Sequence, residues 1–147
     1  MYPIHRLITR VVLIVAGALP ASAQAAAAQT PAVPSRPEPD PIELHDELLG
    51  SYHWPITTAS AQAQAFFDQG ARLMYAYTPG DARRSFAEAR RADPGCAMCW
   101  WGEAWSMGPY LNGGMAASAA APAYAAFERA RSLSARPGVP PVERALI

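Results

Sequence analysis

Cys96 and Cys99 stand in C-x-x-C spacing at the start of a helix-forming run, and they are the only thiols in the chain. Three chemistries suit such a pair. In an oxidising compartment the two thiols close on each other as a disulfide. At a helix N-terminus the partial positive charge lowers a thiol pKa, which favours thiol exchange. Soft thiolates and thioethers together suit Cu(I), and Met98, Met107 and Met115 lie within or downstream of the pair. The last two readings lack support elsewhere in the sequence. No βαβ pattern of the thioredoxin type surrounds the cysteines. One C-x-x-C offers two ligands where structural zinc takes four. Residue 100 is Trp where c-type haem attachment needs His. Methionine also fills irregular gaps between helices without any chemistry. His53, in Ser51-Tyr52-His53-Trp54-Pro55, is either an added ligand or a polar lid residue, and His45 carries no pattern of its own.

Catalytic constellations are missing. Lys is absent, which excludes a lysine Schiff base and a phosphate-loop lysine, and no Gly-rich phosphate loop occurs. Glu103 alone makes no acid–base pair. The expectation is therefore no enzyme activity, no cofactor and no metal. Twelve basic residues face twelve acidic ones, and the arginines are spread along the chain, so no nucleic-acid partner is indicated.

The remaining candidate is an aromatic stripe. Trp101 and Trp105 lie four apart, on a helix face rotated from Trp100, Ala104 and Met107. Exposed, such a stripe offers the large rigid apolar area of a peptide hot spot. Alternatively, Tyr52-His53-Trp54 folds back and covers it, or further repeats downstream do.

These residues need helices to position them. Before the helices come Arg6 and Arg10, the apolar run 11–19, Pro20, and small residues around Ala21–Ala25. That is the layout of a secretory signal peptide, expected over residues 1–25. The apolar run is far short of the ~20 residues that span a bilayer, so no stable membrane anchor remains after cleavage. Export places the chain in the periplasm or outside the cell. Residues 26–59 form a lead-in whose first part, through Pro41, is rich in Pro and Ala and reads as a disordered or semi-rigid linker. Helices are expected at 60–77, 81–92, 96–107 and 121–132, with a fifth beginning after Pro140-Pro141. Ser60 is the N-cap of the first.

One pattern recurs through these helices. Phe66, Gly70 and Leu73 return 34 positions later as Trp100, Ala104 and Met107. Ala82, Phe86 and Ala89 return as Ala123, Phe127 and Ala130 after about seven extra residues, and Pro94 closes the first copy. A fixed period of this length marks stacked helical hairpins. The pattern resembles the tetratricopeptide repeat, and the wording from Asp93 to Gly102 is similar to exported bacterial proteins of that kind. The resemblance covers about 64–135. The second copy departs from it, with residues 111–120 inserted and Ala135 standing where Pro94 stands in the first.

The resemblance implies an all-α fold of antiparallel helix–turn–helix hairpins, stacked as a solenoid over 60–147. Repeat one would span 60–95, repeat two 96–136, and a truncated third 140–147. It also implies that the first helix of each repeat lines a ligand groove. Carried over, that groove is Gln64, Phe67, Ala71, Met74 and Tyr75, then Met98, Trp101, Trp105, Gly108 and Pro109. The function that follows is an exported scaffold for a protein or peptide partner. The alternative is a periplasmic thiol-redox or copper-binding protein using Cys96 and Cys99. With so few repeats, the chain reads as an N-terminal fragment whose unfinished stack leaves apolar faces for self-association.

Overall fold

The structure is a computed structural model that describes residues 37–45, 47–111 and 113–147. The expected signal peptide, and the linker up to residue 36, lie outside the described residues. Among the described residues there are five α-helices packed against one another and no strand: α1 Ala61–Tyr75, α2 Pro79–Ala92, α3 Ala97–Ser106, α4 Ala117–Ser134 and α5 Pro141–Leu146. None is long and apolar enough to cross a membrane.

Local chemistry sets the ends. The Ser60 hydroxyl accepts from the Ala63 N–H and starts α1. At the other end the Thr78 N–H bonds the Leu73 carbonyl and the Tyr77 N–H bonds the Met74 carbonyl. This is the paired closure of a Schellman motif, with Tyr77 at φ 63° in the left-handed position that glycine usually takes. Pro79 opens α2, two residues earlier than the sequence indicates, because a first-turn proline gives up an N–H that has no helical partner. Arg90 and Arg91 in its last turn complement the helix dipole.

Helix α4 is the largest departure from expectation. It starts at Ala117, inside the expected insertion, and Pro122 lies within it. The alanine-rich run before Pro122 has high enough helix propensity to continue past the single lost hydrogen bond.

The first two helices and α3 share one core. Phe86 of α2 is fully buried. Its ring lies so close to α1 and α3 that a Cβ at Gly70 or Gly102 would come within 2.6 or 2.5 Å of it. Glycine at both positions is what lets a phenylalanine fill the space between three helices. Around it lie Phe66, Phe67, Leu73 and Met98. A second, smaller cluster joins α3 to α4. It is built from Met107, Ala119, Ala123 and Ala126, with Trp100 and Ala104 against it.

Buried Glu103 ties α3 to α2. It pairs with Arg90, and its other oxygen is 3.6 Å from Arg83. Burial pulls the Arg90 pKa down, but Glu38 and Glu103 outweigh that and hold it above the ordinary arginine value.

Candidate functional site

The two cysteines sit at the first turn of α3. Cys96 is its N-cap, with its sulfur accepting from the Cys99 N–H at 3.0 Å. Their Cα atoms are 5.4 Å apart and the sulfurs are at bonding distance. Both side chains are buried, Cys96 at 1% and Cys99 at 0% exposure. Met98 is buried with them. Among the described residues no three His, Cys, Asp or Glu side chains converge as a metal site.

Of the groove residues implied by the repeat, Phe67 and Tyr75 of α1 and Trp101 and Trp105 of α3 are linked by ring contacts, whereas Gly108 and Pro109 lie beyond the end of α3. The face that these rings form on α1 and α3 is occupied. Residues 52–58 run along it without helix or strand, and Phe67, Met74 and Met98 are buried. Trp54 meets Phe67 edge-on at 5.8 Å and Trp101 at 5.9 Å. Trp101 stacks on Trp105 at 5.3 Å, and Trp105 meets Tyr75 at 6.2 Å. Tyr75 in turn meets Tyr52 at 6.0 Å. The aromatic stripe is therefore one row, with Tyr52 and Trp54 of the lead-in laid over it. Trp100 lies on the other side of α3, its indole N–H bonded to the Pro94 carbonyl and its ring under Arg90.

Polar side chains of α1 hold the lead-in by its backbone. The Gln64 amide accepts from the Ile56 N–H at 3.0 Å and donates to the Trp54 carbonyl at 2.9 Å. The Gln69 amide accepts from the His45 N–H at 2.6 Å and donates to the Glu43 carbonyl at 2.9 Å. Asp68 accepts from the Trp54 N–H at 2.9 Å, and its other oxygen is 2.7 Å from His53 Nδ1. Arg72 Nε donates to the Tyr52 carbonyl at 2.7 Å. At the far end the Thr57 N–H and hydroxyl both donate to Glu143 of α5.

Nearer the described start, Arg83, Arg84 and Arg91 donate to carbonyls of residues 37–41. Glu38 pairs with Arg90 and Arg91. Burial pushes the Glu38 carboxyl up, but these two arginines outweigh it and hold it below its ordinary value.

Beyond Trp101 and Trp105 the row opens into a cleft between α3 and α4. Its volume is about 450 Å³, and Ala104, Ala120 and Ala123 line it along with Met115, Tyr124 and Phe127. No lining residue is charged, and the size falls within the range of ligand pockets.

The arrangement grips an extended chain by its backbone. His53 and Asp68 form an oriented pair, yet among the described residues no hydroxyl or thiol is hydrogen-bonded to the imidazole. Of the residues that hold the lead-in, Gln64 was expected from the repeat, whereas Asp68, Gln69 and Arg72 were not. Asp68 and Arg72 follow Gln64 at four-residue spacing and Gln69 lies farther round α1, and such polar positions read in sequence as a solvated face. The cleft also escaped notice, because an alanine floor looks like ordinary helix packing.

Compared with protein-family models, curated proteins and solved structures, the chain matches none.

Proposed function

We propose that this chain is an exported scaffold of tetratricopeptide-like hairpins that binds an extended segment of a protein or peptide partner and catalyses no reaction. The observation that carries this reading is the aromatic row of Trp101 and Trp105. An extended segment already lies along one side of it, and an open apolar cleft continues it on the other. Rigid aromatic walls around a small-residue floor suit an apolar anchor side chain, the part of a peptide that supplies most binding energy.

Export to the periplasm or beyond rests on the N-terminal leader pattern. An oxidising compartment would join Cys96 to Cys99, and the burial of both sulfurs favours a structural role over thiol exchange or metal capture.

The test is selection of displayed random peptides on the full chain. Enriched peptides should carry an apolar anchor. They should lose about tenfold or more in affinity on Phe127→Ala, with helicity unchanged. Failure to enrich any peptide, or binding indifferent to both Phe127→Ala and Trp101→Ala, would contradict the reading.

A further inference from the structure

We propose that residues 50–58 are the resident occupant of the α1–α3 face, and that a partner's extended segment enters that face by exchanging with them. This rests on the peptide-scaffold reading and specifies how the groove takes its ligand.

The contacts are of the kind a foreign peptide could reproduce. Gln64 binds the carbonyl of Trp54 and the N–H of Ile56. Farther round α1, on the side toward α2, Gln69 binds the carbonyl of Glu43 and the N–H of His45 in the same way. Each amide thus takes the carbonyl of one residue and the N–H two residues later. In an extended chain the backbone groups of alternate residues face the same side. A side-chain amide aimed at such a pair reads extended backbone as a neighbouring strand would, without regard to side chains. Asp68 and Arg72 add a further N–H and a further carbonyl in the same manner.

Selectivity comes from one anchor. Trp54 is the large ring seated between Phe67 and Trp101, followed by Pro55, which fixes an extended backbone, and by half-buried Ile56. The occupant this face fits is therefore an extended segment with an aromatic residue, then proline, then an aliphatic residue.

Exchange, not simple opening, is what the chemistry favours. Asp68 is only 6% exposed beneath the segment, and Phe67 is wholly covered. Lifting the segment away would leave apolar rings in water and polar groups without their partners. A partner strand restores both. Tyr52, His53, Pro55 and Thr57 of the resident are exposed, whereas Trp54 and Ile56 pack against the core, so these two are the side chains a partner must replace.

The probe is a fluorescent synthetic peptide of residues 50–58, titrated into the full chain. Two variants loosen the resident without touching the face. Trp54→Ala removes its anchor. His53→Ala/Thr57→Ala removes its exposed side-chain ties and leaves the core intact should Trp54→Ala fail to fold. Exchange predicts that the peptide binds a loosened variant about tenfold or more tighter than the unaltered chain. It also predicts that adding Gln64→Leu reverses the gain.

Equal or absent binding to all of them, with circular dichroism showing folded protein, would make the segment a permanent part of the fold and overturn the proposal. Loosened variants that dimerise and exclude the peptide would make a second copy the occupant, which also overturns it. If displayed peptides bind the cleft with the same affinity in every variant while the 50–58 peptide does not bind, the scaffold reading stands and exchange alone fails.

Discussion

The two hairpins carry the same residue pattern and pack it differently. In α1–α2 the equivalent of Phe127 is Phe86, fully buried between Gly70 and Gly102. In α3–α4, Phe127 is a half-exposed wall of the cleft. Ala82 is wholly buried, and its counterpart Ala123 is buried against α3 on one side and lines that cleft on the other. The cause is local. Phe66, Phe67, Leu73 and Phe86 fill the first interface, whereas the contact of α3 with α4 rests mainly on alanines. Alanine faces bring helices together over a narrow strip and leave the bulky residues flanking it without partners. A shared repeat pattern thus specifies which faces meet, and the side-chain volume at the seam decides whether the interface closes or stays open for a ligand.

The sharpest break between the hairpins should come at the paired phenylalanines. Phe86→Ala is expected to destabilise the fold by about 3–5 kcal/mol, the cost of emptying a fully buried aromatic site. Phe127→Ala should cost roughly 1 kcal/mol, since its site is already part open. Denaturant melts of the two variants measure the difference, and equal losses would mean that the second interface is as closed as the first.

A smaller contrast lies at the paired alanines. Ala82→Leu overpacks a closed seam and should cost about 1–3 kcal/mol. Ala123→Leu extends into the cleft and should change stability by less than about 1 kcal/mol while blocking peptide binding. A melt alongside a peptide titration checks both halves.

The smallest effect concerns the lead-in at the first hairpin. Glu38 has its pKa lowered from 4.5 in the folded chain. Its contribution is therefore complete above about 4.5 and is lost as pH falls through the lower folded value. The carboxylate is half exposed, so the loss should be slight and weaken further in salt. Glu38→Gln should remove that part of the acid sensitivity, read as the melting temperature across this window.

Much of the helical frame was legible because it follows from short-range rules. Ser60 capped α1 as read, and Phe66, Phe86 and Leu73 turned inward at the spacing that placed them there. The start of α4 was not legible, since Pro122 reads as a barrier and only the alanines before it carry the helix past it. Of the site, Phe67, Tyr75, Trp101 and Trp105 are joined through ring contacts, with Tyr75 exposed at the edge, whereas Gly108 and Pro109 fall beyond the end of α3. Coverage of the α1–α3 face by Tyr52 and Trp54 is one of the alternatives the sequence offers, but residues 50–58 have no periodicity that selects it. Gln69 and Asp68 illustrate the limit: their burial is set by backbone groups brought from more than a dozen positions away.

Hydrogen exchange at single amides tests the exchange of occupants most directly. In the isotope-labelled full chain, the Trp54 and Ile56 amides should be protected by Asp68 and Gln64. Saturating the chain with unlabelled peptide of residues 50–58 should remove that protection while the amides of α1 stay slow. Protection at Trp54 and Ile56 that persists with the peptide bound would contradict the account.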